Sequence, residues 1–383
     1  MQAQLLAWLM SAFSFLFPLI FGQPVRAPET RVSPYVEEMP PDKYGVWPTQ
    51  EFEIAEPPLW LPEWGLRSLY VASNPAVGRN EGLVALYRGR LVCEYYGEGW
   101  DSDTLHPVNS VTKSVTQALV GIAIREGYIN SIQDKVIDYF PDAAIEIAPE
   151  LKEKITIDHL LTMTSGLAGD QEEALGMGFA DWFAAHPGEE AKAALARRWE
   201  QDSAKTLLEI YSMTSKPGQR WNYSSDGAHL LLGLVARAID RPLEEFVDEM
   251  LFGPLGITNY TWAKWGDIYY GGACLYLTPR DMAKLGYLYL NYGRWEDRQL
   301  LPADYVAQSG PVSKSPFGYG RLFWNVPFAP FGNAYGASGA NGQRVDIFPL
   351  QDLVIVRTAA AQLCENGCCP AAYCWLERII KIQ

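Results

Sequence analysis

The chain has 383 residues, of which 48% are hydrophobic and 20% are charged, as is usual for a soluble globular protein. Its formal net charge is −14 and no basic run interrupts the acidic surface, so we exclude nucleic acid as a partner. The length fits one large domain or two closely packed domains.

The first 27 residues resemble a secretory signal peptide. No charged residue occurs from Leu5 to Phe21, and Val25-Arg26-Ala27 resembles a small-x-small cleavage site. An uncleaved membrane anchor is the alternative, because the apolar run is long and no Lys or Arg precedes it. We therefore expect an exported protein, periplasmic or secreted, that contacts a membrane only if residues 5–21 are retained.

Cysteine usage also favours export, since oxidising compartments stabilise disulfides. Four of the six cysteines crowd together near the C-terminus: Cys364, Cys368, Cys369 and Cys374. We expect two disulfides there, with a pairing that the sequence leaves open. A zinc site is the weaker alternative because adjacent cysteines are awkward ligands. Cys93 and Cys274 stand apart, and either pair with each other or stay buried thiols.

The folded part of the chain is predicted to begin after an extended, Pro-rich and acidic arm at residues 28–60. From Gly82 to Tyr96, two β-rich runs flank Arg88-Gly89-Arg90, a pattern that predicts a hairpin. A helix follows, with Asn109 as its predicted cap and Gly127 at its end.

The middle of the chain, from Ile129 to about Arg241, is predicted to be mostly helical, and strands return at Gln343–Pro349 and Asp352–Thr358. The predicted fold is therefore α/β of the α+β type, with one antiparallel sheet built from both chain ends and flanked by helices. We expect a sheet domain at residues 61–128 and 255–383 and an inserted helical domain at 129–254. A cleft between the two is the natural place for a site.

Ser110 and Lys113 form an S-x-x-K motif at the start of the first predicted helix. Residues three apart share a helix face, so the lysine nitrogen can lie beside the serine hydroxyl. A serine needs a base to remove its proton before it acts as a nucleophile. The backbone N–H groups of a helix N-terminus can also stabilise an oxyanion. The motif alone is weak, because chains of this length often contain it by chance.

Two further segments strengthen the prediction. Tyr223 precedes another predicted helix, for which Ser225 or Asp226 is the expected cap, and a tyrosine near a lysine can transfer protons. The Gly-rich segment Gly336–Gln343 enters a strand, where glycine allows a substrate to approach the strand edge closely.

Together these segments resemble the serine β-lactamase and penicillin-binding-protein superfamily. That superfamily is recognised by an S-x-x-K motif followed along the chain by a second and a third motif. The closer resemblance is to the class C β-lactamase-like branch, which contains esterases and 6-aminohexanoate-dimer hydrolases and uses Tyr-x-Asn as its second motif. Residues 155–167, 217–239 and 278–293 resemble family segments in the family order. The resemblance covers about residues 65–360.

The resemblance implies a β-lactamase/transpeptidase-like fold and a role for each matching residue. Ser110 would be acylated, and Lys113 and Tyr223 would pass its proton towards the leaving group. The backbone N–H groups of Ser110 and Ala340 would form the oxyanion hole. The resemblance implies neither a metal nor an organic cofactor. The expected partner is a small-molecule ester or amide, and we expect a monomer.

Four residues are candidates for substrate binding: Ser225, Ser338, Gly339 and Gln343. Ser225 stands where the family has the Asn of Tyr-x-Asn; its hydroxyl can still bond Lys113 but offers no amide donor. Ala337 stands where the family has Lys or His, which removes a charge-assisted contact to a substrate carboxylate. Arg344 could supply a cation instead, unless it faces away.

These departures lead us to expect an esterase or amidase. The alternatives are a penicillin-binding or sensor-type module with low turnover, and a weak β-lactamase. The pocket walls are expected in three loops, at residues 168–200, 260–272 and 311–335. The four histidines are interpreted as structural or solvated, because a Lys–Tyr pair already supplies the base: His106, His159, His186 and His229.

Overall fold

A six-stranded antiparallel sheet takes strands from both ends of the chain in this computed structural model, which describes residues 45–59, 80–310, 318–326 and 334–359. The strands, in chain order, are β1 (Asn80–Tyr87), β2 (Arg90–Tyr96), β3 (His106–Pro107), β4 (Thr261–Trp262), β5 (Lys264–Trp265), β6 (Ile268–Tyr269), β7 (Leu275–Leu277), β8 (Arg294–Trp295), β9 (Arg298–Gln299), β10 (Trp324–Asn325), β11 (Tyr335–Gly339), β12 (Gln343–Phe348) and β13 (Leu353–Ala359).

Helices fill the middle of the chain, as the sequence predicts. In chain order they are α1 (Thr112–Arg125), α2 (Pro149–Lys152), α3 (Ile157–Leu161), α4 (Asp170–Ala174), α5 (Ala180–Ala185), α6 (Glu189–Gln201), α7 (Ser203–Ile210), α8 (Ser225–Ala238), α9 (Leu243–Val247), α10 (Pro279–Leu290) and α11 (Ala303–Ala307). A π-helical turn (Asp248–Phe252) follows α9, and short 3-10 turns occur at Asn109–Val111, Val136–Tyr139, Ala340–Gly342 and Pro349–Gln351.

The main sheet has the order β10-β11-β12-β13-β1-β2, and every neighbouring pair is antiparallel. This confirms the predicted fold class. The hairpin β1–β2 turns at Arg88 and Gly89, whose φ angles of 53° and 78° lie in the left-handed region that glycine tolerates. The strands β12 and β13 fall where the β-branched runs at the end of the sequence predict them.

Apolar side chains cover both faces of the sheet. Alternate residues of β1 point to opposite faces. Val84 and Leu86 join the large core that the helices share, while Leu83 and Ala85 join a smaller cluster on the other face. The helix α10 packs across β13, β12 and β1 on the core side. The sheet is thus held rigidly against the helices that carry the candidate site.

The end of the predicted arm is attached to the sheet and is not a loose linker. The backbone N–H of Ala55 donates to the carbonyl of Leu91 (3.0 Å), and the N–H of Leu91 donates to the carbonyl of Glu53 (2.8 Å). Leu91 lies in β2, the edge strand, so the arm covers part of that edge and satisfies its polar groups. The rest of the arm, residues 28–44, lies outside the described residues.

The helix α1 begins differently from the prediction. Asn109 is not its cap: a 3-10 turn at Asn109–Val111 precedes the helix, and the Asn109 side chain makes no capping bond. Its φ is 51°, a left-handed conformation that asparagine tolerates better than most residues. Instead, its Nδ2 donates to the carbonyl of Ala340 at 2.9 Å. The residue therefore joins the start of α1 to the end of β11.

The cap of α8 also differs from the prediction. Neither Ser225 nor Asp226 caps the helix; the Oγ of Ser224 accepts from the N–H of Gly227 at 3.0 Å. The shift by one residue places Ser225 and Asp226 in the first turn. Their side chains are therefore available for contacts with α1 and its neighbours.

Several predictions fall outside the described residues: the signal peptide or anchor, and the C-terminal cysteine cluster. The division into a sheet domain and a helical domain stays a prediction.

Cys93 and Cys274 are both buried and do not form a disulfide with each other, so they are the buried thiols of the second alternative. Among the helices of the described ranges, none is long and apolar enough to cross a bilayer.

Candidate active site

Ser110 and Lys113 lie side by side at the start of α1. Ser110 sits in the 3-10 turn that leads into the helix and is half-buried. Lys113 follows one turn later, and its Nζ lies 3.0 Å from the Oγ of Ser110. The S-x-x-K spacing predicts this contact, because residues three apart share a helix face. A lysine nitrogen is thus held within proton-transfer distance of a partly accessible serine hydroxyl.

The nitrogen of Lys113 is held by three oxygen atoms. The residue is only 1% exposed. Besides Ser110, its Nζ donates to the Oγ of Ser225 (2.8 Å) and to the carbonyl of Gly272 (2.7 Å). A buried charged amine is tolerated only when its hydrogen-bonding capacity is satisfied. The contact to Ser225 agrees with the expectation that its hydroxyl can still bond Lys113.

Asp170, the first residue of α4, supplies an anion that sequence analysis did not identify. Its Oδ2 accepts from the Oγ of Ser225 at 2.8 Å, and its Oδ1 accepts from the N–H of Ser225 at 2.6 Å. Burial raises the pKa of Asp170, and the positive charge of Lys113 opposes that rise. Lys113, Ser225 and Asp170 form a continuous chain in which two opposite charges are separated by one hydroxyl. No local sequence signal marks this aspartate.

The backbone of Gly271–Gly272 passes between α1 and α8. A Cβ on Gly272 would lie 2.6 Å from the carbonyl oxygen of Ser225, and one on Gly271 would lie 2.6 Å from that of Ala228. Only glycine allows such an approach, which brings the carbonyl of Gly272 to Lys113. Sequence analysis did not identify this contact. The signal that could have found it is the pair of adjacent glycines, since glycine allows another backbone to approach closely.

Tyr223 lies beside Lys113 but presents its ring. The Nζ of Lys113 lies 4.8 Å from the ring centroid, which is a cation–π distance. The tyrosine hydroxyl makes no hydrogen bond to any described residue. Catalytic hydrogen bonds are often long before substrate binds and shorten in the complex. The structure therefore brings Tyr223 to the site without the proton-sharing contact that the sequence predicts.

Three further aromatic rings pack around Tyr223. Tyr319 lies 6.1 Å away edge-on, Trp324 lies 5.8 Å away in a tilted arrangement, and Trp221 lies 6.3 Å away. Tyr319 is buried, whereas the two tryptophans are half-buried. Trp324 lies in β10, inside the predicted wall segment 311–335. We call these three residues the aromatic wall; it fixes the Tyr223 ring and offers apolar area to a substrate.

The end of β11 lies directly against the start of α1. A Cβ on Gly339 would come within 2.4 Å of the carbonyl oxygen of Val108, so glycine is required there. The next residue, Ala340, is exposed and accepts the hydrogen bond from Asn109. The two backbone segments of the predicted oxyanion hole are therefore neighbours. The use of the Ser110 and Ala340 N–H groups in catalysis stays a prediction.

Two predicted substrate-binding side chains do not reach the site. Gln343 is fully buried, and its amide bonds both backbone groups of Ala359, donating at 2.6 Å and accepting at 3.3 Å. Ser338 pairs with Arg344 in the sheet, on the face opposite to Gly339 and Ala337. Of the four candidates, the structure brings Ser225 and Gly339 to Ser110 and leaves Ser338 and Gln343 away from it.

Among the described residues, we find no cation in place of the family Lys or His at Ala337. Ala337 is 3% exposed and faces an apolar space with Val111 and Val345. Arg344, the alternative considered from sequence, donates to both carboxylate oxygens of Asp346 at 2.7–3.1 Å. Its charge is therefore balanced within the sheet on the far face.

The histidines occupy positions outside the Ser110–Lys113 contact. His106 stacks on Trp100 at 4.4 Å, and burial lowers the pKa of His106 to about 4. The Nδ1 of His159 accepts from the N–H of Thr156 in the capping box of α3. His186 is the C-cap residue of α5, and His229 is buried in α8.

Comparisons with known proteins identify the family. A family model described as Beta-lactamase matches residues 82–362. A putative D-alanyl-D-alanine carboxypeptidase of Escherichia coli (strain K12) is 24% identical over 394 residues, which cover 84% of this chain and 85% of the relative. Esterase EstB of Burkholderia gladioli is 29% identical over 188 residues, covering 47% of this chain and 42% of the relative.

A solved structure shows the same fold. A putative 6-aminohexanoate-dimer hydrolase from Bacillus anthracis superposes with a TM-score of 0.62 at 18% identity, and the match covers 86% of each chain. The family model spans most of the chain and contains the whole Ser110–Lys113 region. The protein therefore belongs to the β-lactamase family, within the β-lactamase and penicillin-binding-protein superfamily that its three motifs predicted.

Proposed function

We propose that the protein is a serine hydrolase that cleaves an ester or amide bond through an acyl-enzyme on Ser110. The single observation that carries the proposal is the 3.0 Å contact between the Ser110 hydroxyl and the nitrogen of the buried Lys113. Covalent catalysis usually requires a nucleophile and a base within hydrogen-bond distance of each other. Further groups then orient the base. Here Ser225 and Gly272 orient the base.

The proposed reaction has two half-reactions. The ammonium group of Lys113 first releases a proton to solvent. The resulting amine takes the proton of Ser110 as Oγ attacks the substrate carbonyl carbon, and the N–H groups of Ser110 and Ala340 stabilise the oxyanion. The proton passes to the leaving alcohol or amine, with the Tyr223 hydroxyl as the proposed donor, and the bond to the leaving group breaks. Water then attacks the acyl carbon and gives a proton to the same groups. They return the proton to the Oγ of Ser110 as the bond between Oγ and the acyl carbon breaks and the acid is released.

The substrate is proposed to lack a carboxylate beside the scissile bond. Ala337 offers no charge, and Arg344 is paired with Asp346. A penicillin or a D-Ala-D-Ala peptide would therefore lose a charge-assisted hydrogen bond, which contributes about 1.5–3 kcal/mol. Among the relatives, the names esterase and 6-aminohexanoate-dimer hydrolase fit this chemistry better than the name carboxypeptidase.

A fluorophosphonate probe tests the nucleophile, and a substrate panel tests the class. The probe should label wild-type protein at Ser110 and leave Ser110→Ala unlabelled. The panel should contain short and long acyl esters, a linear amide, nitrocefin and a D-Ala-D-Ala peptide. We expect turnover of esters or the amide that Ser110→Ala abolishes. Absence of labelling on folded wild-type protein would contradict the proposal.

A second candidate function is a low-turnover binding or sensor module. It is favoured by one observation: the Tyr223 hydroxyl has no hydrogen-bond partner among the described residues, so leaving-group protonation and deacylation have no preformed donor. Such a module would be acylated once per molecule and release the acyl group slowly. Multiple turnover of a p-nitrophenyl ester would exclude it. Nitrocefin hydrolysis lost in Ser110→Ala would instead establish the weak β-lactamase.

Replacing Tyr223 with phenylalanine tests the proposed relay. The variant keeps the ring that packs against Lys113 and the aromatic wall and removes only the hydroxyl. If the hydroxyl transfers a proton, kcat should fall by about 10²–10⁴-fold with a smaller change in KM. Tyr128→Phe is the control, since it removes the hydroxyl of a 38% exposed tyrosine beyond the C-terminal end of α1, away from Ser110; it should leave kcat within a few-fold. Equal effects of the two substitutions would remove Tyr223 from the relay.

A further inference from the structure

His229 is a buried residue that the proposed reaction does not use. It lies in α8, one turn after Ser225, and is 0% exposed. Its Nδ1 faces the N–H of Gly271 at 3.3 Å, and its Nε2 faces the Oγ of Ser203 at 2.8 Å. A backbone N–H can only donate, so this contact assigns Nδ1 as the acceptor and the ring proton to Nε2. A backbone group of Tyr269 also makes a hydrogen bond to the ring, which acts to raise the pKa of His229.

The bond from Nε2 continues to a carboxylate. With Nε2 as donor, the Oγ of Ser203 accepts and donates its own proton to Asp267, whose Oδ1 lies 3.1 Å away. The same oxygen of Asp267 accepts from the N–H of Ser203 at 3.1 Å. This chain satisfies the proton on Nε2 and leaves the lone pair of Nδ1 for the N–H of Gly271.

His229 bonds the Gly271–Gly272 segment, and the same segment bonds Lys113. The carbonyl of Gly271 accepts from the Oγ1 of Thr116 (2.9 Å), and the carbonyl of Gly272 accepts from the Nζ of Lys113 (2.7 Å). Both carbonyls therefore point to α1, while the N–H of Gly271 points to α8. A glycine pair has no side chains that could fix its backbone, so its position depends on these polar contacts.

The charge state of His229 suits this role. Burial lowers the pKa of His229 to about 4, against the opposing charges of Asp226, Asp267 and Asp202. The ring of Tyr270 lies 5.0 Å away and that of Trp199 lies 6.1 Å away, so aromatic groups pack against the imidazole. The neutral ring keeps the Nδ1 lone pair that the Gly271 N–H requires.

We propose that His229 is a positioning residue for the hydrolysis: by accepting the N–H of Gly271, it holds the carbonyl of Gly272 on Lys113 and so keeps Lys113 aligned with Ser110. This inference rests on the proposed function. It assigns a purpose to a histidine that neither touches the reacting atoms nor exchanges protons with them. A displaced base lowers the reaction rate even when every reacting group is present.

A matched pair of amide substitutions tests the contacts of the two ring nitrogens of His229 one at a time. In His229→Asn the amide oxygen can occupy the place of Nδ1 and accept from Gly271, while the contact to Ser203 is lost. In His229→Gln the amide nitrogen can occupy the place of Nε2 and donate to Ser203, while the contact to Gly271 is lost. We expect kcat within about twofold of wild type for His229→Asn and about tenfold lower for His229→Gln, with KM unchanged in both.

Ser203→Ala is the second test, and it does not depend on how well an amide fits the site. It removes the Nε2 partner and leaves Nδ1 in place, so we expect a lower melting temperature with kcat within about twofold of wild type. Rates should be expressed per folded molecule, counted by the extent of fluorophosphonate labelling of Ser110 at completion. Equal kcat losses in the Asn and Gln variants, or a kcat loss in Ser203→Ala that follows its melting temperature, would overturn the inference.

The outcomes also separate this inference from the proposed function. If wild-type protein is neither labelled nor active on esters and amides, the proposed function fails and the role of His229 fails with it. If wild type turns over its substrate but the two amide variants behave alike, only the positioning role is overturned.

Discussion

Substituting Lys113 with methionine should reduce kcat/KM on the best substrate by at least about a thousandfold, a loss similar to that of Ser110→Ala. Methionine fills a similar volume but cannot accept the Ser110 proton. It also leaves the Ser225 hydroxyl and the Gly272 carbonyl without their donor, and leaves Asp170 without a nearby positive charge. The measurement is steady-state hydrolysis of a p-nitrophenyl ester by each purified variant.

The same two variants should differ in stability, and this difference tests the description of the site. Ser110 is half-buried and makes one contact to Lys113, so Ser110→Ala should leave the free energy of unfolding nearly unchanged. Lys113→Met breaks a buried pair of opposite charges, which destabilises by about 3–5 kcal/mol. Urea unfolding of both variants measures this. A Lys113→Met protein that retains more than a tenth of wild-type activity would contradict the assignment of the base.

Lys152→Met should have the opposite effect and stabilise the protein near neutral pH. Lys152 ends α2, is 0% exposed, and its Nζ makes no hydrogen bond to any residue that the structure describes. Burial lowers the pKa of Lys152 to about 7, although the charges of Glu209, Asp181 and Glu146 act to raise it. From a reference lysine pKa of about 10.4, this depression corresponds to a destabilisation of about 3–5 kcal/mol.

The sign of the pH dependence follows from proton counting. Between pH 7 and about pH 10 the unfolded chain holds a proton on Lys152 that the folded chain has lost, so stability should rise with pH across that window. Below pH 7 both states hold the proton, and the full destabilisation is present. The rise should reach about 1.4 kcal/mol per pH unit at most, and Lys152→Met should abolish it.

The exposed Lys154, two residues along the chain, is the matched control. Lys154→Met should change neither the free energy of unfolding nor its pH dependence by more than about 0.5 kcal/mol. Urea unfolding at pH 6.5, 8 and 9.5, values chosen to span roughly this window, compares the three proteins. If wild type and Lys152→Met show the same pH dependence, Lys152 is not the group that titrates.

Local patterns in the sequence were sufficient for the fold class and for the central pair of the site. The alternating runs at both chain ends predict the strands that the structure places in one antiparallel sheet. The helical period places Lys113 beside Ser110 without knowledge of any other element. Both inferences succeed because they depend on backbone periodicity, which is a local property of the chain.

Helix caps were less predictable, because neighbouring serines and aspartates suit a cap equally well. The cap of α8 is Ser224, one residue before the candidates, and the choice frees Ser225 to bond Lys113. Asn109 is likewise used for a contact to Ala340 that lies far away in sequence. In both places a long-range partner decided between locally equivalent arrangements.

The sequence by itself determined the family, the candidate nucleophile with its neighbouring lysine, and the absence of the basic residue of the third motif. Only the tertiary structure decided what surrounds Lys113: the carbonyl of Gly272, the carboxylate of Asp170 behind Ser225, and the face of the Tyr223 ring. The physical reason is sequence distance. These groups are brought to α1 by chain reversals of tens to more than a hundred residues, and no local periodicity records which backbone will pass between two helices.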